Sequence, residues 1–419
     1  MSRRTLAIID RMRNRCFALA LTLACGVAGC KREQADETRS PEARSIHKPK
    51  APPKSKPTAN VTAIAAGWFF TCALTKEGDV YCWGANNSGQ SGAVDKTALA
   101  NLRKLKQSGK KLNLEQVLSL GQRVRKNTDV VLPNKVALPG KATMIGALGE
   151  YACAALAAGT VYCWGSNTER QIAPRHPLAE EIPVPVSVGA PGKSVTGLCL
   201  RAFGAVAITD KGHAVLLPKG ARVKWRRDRF RTLGCGEYHS CAASERHVVC
   251  WGRHGPRLGH SKPRLYGGDQ FAKAPPNRVG GWSGRPVKLA AGERFSCALT
   301  SKGRVACWGD HVCPKKTSPN NVRFIEPLSD ITQLAANGSR VCAAAKTGGV
   351  VCWTIGSCKL SKPRKVAGLD EVVVGLAVGS EHSCALTRTH HVKCWGENGR
   401  GQLGIGTKSK SSVPRVVPL

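Results

Sequence analysis

An all-β fold, a seven-bladed β-propeller, is predicted by three features of this 419-residue chain: a recurring unit, strand-period alternation within it, and an abundance of turn residues. Six copies of the unit read AAGWFFTCALTKEGDVYCWG (65–84), ALGEYACAALAAGTVYCWG (147–165), GCGEYHSCAASERHVVCWG (234–252), AAGERFSCALTSKGRVACWG (290–309), AANGSRVCAAAKTGGVVCWT (335–354) and AVGSEHSCALTRTHHVKCWG (377–396). A seventh, LCLRAFGAVAITDKGHAVLLP (198–218), keeps the layout with Val206 and Leu216 in place of the Cys pair. In the first copy Phe70, Cys72 and Leu74 share a face that Val80 and Cys82 continue beyond a turn, and Val61-Thr62-Ala63-Ile64 leads in as a further strand. Forty-five Gly and 24 Pro supply the turns. Such small units bury little alone; joined in a ring they share one core and leave only short edges.

Before the repeats, residues 11–30 read RMRNRCFALALTLACGVAGC, a basic segment, a short apolar run and small residues. The run is too short to span a bilayer, so residues 1–29 are expected to be an export signal. Val27-Ala28-Gly29-Cys30 resembles the lipobox of bacterial lipoproteins, which implies cleavage before Cys30 and lipidation of it. Residues 30–60 are Lys/Pro-rich with almost nothing apolar, and are expected to form a disordered tether. The expected location is therefore the bacterial cell envelope, with the chain lipid-anchored in the outer membrane.

The repeat V-x-x-[IL]-A-x-G-x-x-[HF]-[ST]-C-A-L-T-x-x-G-x-V-x-C-W-G resembles that of the regulator of chromosome condensation (RCC1) family, over about residues 61–419. The last copy continues Gly401-Gln402-Leu403-Gly404, and the first has a weaker form, Gly89-Gln90-Ser91-Gly92. The resemblance implies seven blades, with Val413-Pro414-Arg415-Val416-Val417 supplying a strand that helps to close the ring. It also implies binding functions, since relatives include a nucleotide exchange factor and a secreted inhibitor of β-lactamases. An insert near 93–140 lies between the first and second copies; its basic, helix-forming composition predicts an amphipathic helix or a loop.

Nineteen Cys call for metal or for an oxidising compartment, and spacing separates the two. Six pairs stand nine or ten apart across hairpins: Cys72 and Cys82, Cys153 and Cys163, Cys241 and Cys250, Cys297 and Cys307, Cys342 and Cys352, Cys384 and Cys394. Cys72 opposite Cys82 places Leu74 opposite Val80, and directly opposed side chains lie close enough for a disulfide. Both Cys vanish together in the deviant copy, as bonded partners do. No CxxC-type cluster is present, so no metal site and no cofactor are expected. Cys199 and Cys235, and Cys313 and Cys358, fall at like positions in consecutive blades and are expected to bridge them.

Net charge is +37, favouring acidic partners. Arg226, Arg227, Arg229 and Arg231 are the candidate contact with an anionic partner. The Trp after each second Cys is read as packing between blades. No acid, base or nucleophile stands apart from the repeat, so a non-enzymatic, monomeric scaffold for a protein partner is expected. The alternatives are a binder of anionic polysaccharide or nucleic acid, and an exchange factor by resemblance.

Overall fold

The computed structural model describes residues 59–94, 128–174, 179–225, 229–252, 276–280, 284–309, 312, 322–356 and 359–419. The signal, nearly all of the tether, and most of the insert with its expected helix lie outside the described residues. From residue 61 onward the chain forms seven antiparallel sheets, at 61–135, 142–189, 195–222, 232–278, 286–324, 331–365 and 373–416. Each is one blade, with its strands in sequence order from the axis outward; blade 6 has its outer edge divided between two short strands. This is a seven-bladed β-propeller.

The inner strands encircle the axis, and a channel there is lined by Ile64–Ala66 and by the corresponding stretch of every other blade. Small residues such as Ala65, Gly146, Gly234 and Ala377 let seven backbones approach one another. The pairing of inner with second strand slips by one residue at the same place in blades 1, 2, 3, 5, 6 and 7, a recurrent bulge that sharpens the twist.

Packing follows from the two faces of each hairpin. The core consists of seven clusters, one at each seam between neighbouring blades. The Cys-bearing face looks toward the following blade, whose Ala-rich face and Trp cover it: Cys72 and Cys82 meet Trp164, and Cys384 and Cys394 meet Trp83. All six of these Trp are buried.

Several polar groups buried in the seams are bonded across them. The Tyr151 hydroxyl donates to the carbonyls of Arg201 and Gly204 in blade 3 at 2.6 and 3.0 Å. Burial raises the Tyr151 hydroxyl pKa far above its ordinary range, so it stays a donor. His239 Nε2 lies 2.7 Å from Ser296 Oγ, joining blade 4 to blade 5 in the same manner.

The C-terminal segment supplies the expected strand beside the closing seam, and it does so within its own blade. The strand Ser411–Val416 pairs with Val392–Gly396 of its own blade, Cys394 facing Arg415, and does not pair with blade 1. A four-stranded blade is completed within its own sequence, so no strand is left to lend. The seam instead closes through Val61, Trp83, Leu403 and Val417 packed together, and through Ala59 N donating to Leu419 O at 3.2 Å. The chain leaving the insert adds to it: Asp129 pairs with Arg400 at 2.8 Å and Lys408 at 2.5 Å.

Candidate functional site

All six hairpin Cys pairs are bonded, each between directly opposed residues. Cys72 is bonded to Cys82, Cys153 to Cys163 and Cys241 to Cys250. Cys297 is bonded to Cys307, Cys342 to Cys352 and Cys384 to Cys394. The S–S distances are 2.04–2.12 Å. The bridges differ in how well they are covered. Cys307, opposite Arg323 on the outer strand of blade 5, is fully buried. Cys352 is half-buried, with Arg364 of the outer edge of blade 6 opposite it.

The shorter turn of blade 4 leaves Cys241 opposite Cys250, and Val206 faces Leu216 in blade 3. Cys199 and Cys235 are also bonded, at 2.05 Å, across the inner strands of blades 3 and 4. Cys313, Cys358, Cys30, Arg226 and Arg227 lie outside the described residues. No group of three or more His, Cys, Asp or Glu capable of holding a metal ion occurs among the described residues.

The remaining pair of the basic cluster is divided. Arg231 is ion-paired with Glu245 of the adjacent hairpin turn at 2.8 Å. Arg229 lies over the turn of blade 3, where a Cβ on Gly212 would come within 2.7 Å of the Arg229 Cβ. Gly212 has φ +75°, so this close approach and this turn both require glycine.

Beside Arg229 lies a concave site that the sequence reading did not anticipate. The Trp position of blade 3 holds Leu217, and the seam between blades 2 and 3 is the one where a Trp is replaced. There Cys153 and Cys163 meet an aliphatic side chain instead of an indole. The seam opens as a groove of about 490 Å³. One wall is Val188 and the linker to Lys193. The other carries Asp210, Lys211, His213, Val215, Leu217 and Arg222. Lys193, Lys211 and Arg222 are exposed and His213 is half-buried.

The electrostatics of the groove are cationic. Desolvation, then Arg222, Lys211 and Arg229, hold the His213 pKa below its ordinary value, against the opposing pull of Asp210. Lys193, Lys211 and Arg222 have no ion-pair partner among the described residues. Carboxylates are paired elsewhere on the same rim: Asp79 with Lys135 and Lys141, Glu326 with Arg304, Asp370 with Lys365. The detectable signal in the sequence was the deviant copy itself, which lost Cys, Cys and Trp together.

A second oversight concerns the outer loops. In blades 1 and 7 an Asn carboxamide oxygen accepts from the backbone five residues on (Asn86 from Ser91 N, Asn398 from Leu403 N), and a Gln side chain closes the loop. Blade 2 builds the same loop from Asn167 and Gln171, although its sequence departs from the pattern. Arg170 there adopts φ 57°, where Gly89 and Gly401 have 79° and 77°. The loop carbonyls of Gln90 and Gln402 accept from Trp164 Nε1 and Trp83 Nε1 at 3.0 and 2.9 Å. The Leu217 side chain has no N–H to offer Gln171.

With this geometry established, residues 61–90, 287–313 and 373–402 match the family model described as "Regulator of chromosome condensation (RCC1) repeat", and a second model of that repeat matches 391–419. These matches fall in blades 1, 5 and 7. It is 28% identical over 377 residues to the human E3 ubiquitin-protein ligase HERC2, a match covering 82% of this chain and 7% of that ligase. With the Arabidopsis thaliana ultraviolet-B receptor UVR8 it shares 23% identity over 68% of this chain and 72% of the receptor. Among solved structures it is similar to Prp20p of Saccharomyces cerevisiae, which is described for its binding to Gsp1p and histones. That match has 18% identity and a TM-score of 0.44, over 85% of this chain and 76% of the other.

Proposed function

We propose that this chain is an exported, lipid-anchored and non-enzymatic scaffold of the bacterial cell envelope that binds an acidic protein partner. The observation that carries the reading is where the polar groups are used. Tyr151, His239, His382, Trp83 and Trp164 are all buried and hydrogen-bonded from one blade to the next, which makes the ring rigid. The groups left for a ligand are surface cations and loops, suited to recognition rather than to proton transfer. Seven disulfides among the described residues support an oxidising location. Ubiquitin-ligase chemistry is not carried over from a relative of which this chain spans 7%.

Cross-linking and pull-down of the tagged full-length protein from intact envelopes tests this. One protein retained through about 0.5 M salt is the expected result. An anionic polymer released by that salt would favour the alternative reading, to which the charge of +37 lends weight. Labelling with a radioactive fatty acid, absent from Cys30→Ala, tests the anchor.

A further inference from the structure

We propose that the groove between blades 2 and 3 binds a small ligand carrying a phosphate or sulfate group, with Lys193, Lys211 and Arg222 supplying the countercharge.

The groove has a structural origin in the repeat. Six blades close the preceding seam with a Trp, and blade 3 presents Leu217 instead. A smaller side chain at that position leaves space, and Val188, Val215 and Leu217 line it with apolar surface. At about 490 Å³ the volume suits a small molecule rather than a folded partner.

Charge supplies the ligand class. Three side chains with permanent positive charge line the site, against the single carboxylate of Asp210. That carboxylate is turned against the linker, since a Cβ on Gly192 would meet Asp210 Oδ1 at 2.9 Å. Like charges gathered without partners repel one another, and an oxyanion entering the groove relieves that repulsion. Lys and Arg donors form charge-assisted hydrogen bonds to such oxygens. His213 stands among the same cations and adds a fourth donor when protonated. The combination of cationic rim and apolar wall matches an anionic group on a compact carbon body.

This goes beyond the scaffold reading and is tested without any macromolecular partner. Calorimetric titration of the full-length protein at low salt uses inorganic phosphate, sulfate and glucose 6-phosphate as probes. Saturable binding at one site is expected. The double variant Lys211→Glu with Arg222→Glu should weaken it at least about tenfold. Leu217→Trp, which puts back the side chain of the other blades, should do likewise by filling the groove. Lys302→Glu alters the same turn position in blade 5 and should change affinity less than about twofold. Tighter binding of glucose 6-phosphate than of phosphate assigns an organic ester as the ligand; equal binding assigns the free oxyanion. Non-saturable binding, or equal losses in Lys302→Glu and the double variant, overturns the site. The charge reversals lie on exposed positions, so they keep the test intact should L217W misfold.

Discussion

His382 Nε2 lies 2.7 Å from Thr71 Oγ1, so that the last blade is hydrogen-bonded to the first across 311 residues of sequence. Thr71 in turn donates to the Gln402 carbonyl at 3.1 Å, which makes His382 the donor and leaves its Nδ1 unprotonated. That nitrogen faces Gly379, where a Cβ would approach to 2.4 Å. A second proton has no partner there, and burial together with Arg340 pushes the His382 pKa down to about 3.

Stability should therefore fall in acid. Below the ordinary histidine pKa of about 6.5 the unfolded chain takes up a proton that the folded ring refuses. The stabilisation is complete above pH ~6.5 and is lost as pH falls toward 3, by at most roughly 5 kcal/mol. Denaturant titrations between pH 7 and 4 should show this decline. His382→Phe, with the residue found at the same position as Phe70 and Phe295, should be flatter by about one proton. An unchanged slope would contradict the assignment.

In the groove the sign is opposite for ligand binding. Asp210, Lys211, Arg222 and Arg229 are the charged groups acting on His213, and the cations outweigh the carboxylate. A bound sulfate offsets them and raises the proton affinity of His213, so sulfate should bind several-fold more tightly at pH ~5.5 than at pH ~8. Sulfate does not titrate in that range. His213→Asn should abolish the difference; a persistent pH effect in that variant would assign it to another group.

Cys199 and Cys235 close a loop of 36 residues, against nine or ten for the hairpin bridges. Chain entropy assigns the longer loop about 4 kcal/mol and each short one about 3. Replacing both Cys199 and Cys235 by Ala should therefore lower the urea midpoint more than replacing both Cys297 and Cys307 by Ala. The reverse order would indicate that packing at the seams outweighs loop closure.

Arg170 occupies the left-handed position that glycine fills in the loops of blades 1 and 7. An L side chain there costs about 1–2 kcal/mol, and glycine loses part of that gain to its freedom when unfolded. Arg170→Gly should stabilise the fold by roughly 0.5–1 kcal/mol. Gly404→Ala should do the reverse, because its Cβ would sit 2.6 Å from Trp83 Nε1. Thermal melts of the two variants measure both effects.

The third loop was hidden from sequence reading for the reason that makes Arg170→Gly informative. The pattern is recognised by its glycines, whereas the conformation is held by Asn167 and Gln171. Arg231 was legible as a basic residue, but its neutralisation by Glu245 depends on a turn 14 residues away. The groove was legible only as an irregular copy.

By itself the sequence determined the hairpins, their register, the six bonded Cys pairs and the number of blades. These follow from alternation of period two and from turns a few residues long, so each is encoded in about twenty neighbouring residues. The tertiary structure alone decided how the ring closes, which groups bond across the seams, and where a missing indole opens a cationic groove. Those outcomes depend on the approach of one blade to the next, set by residues more than 300 positions apart and recorded in no local pattern.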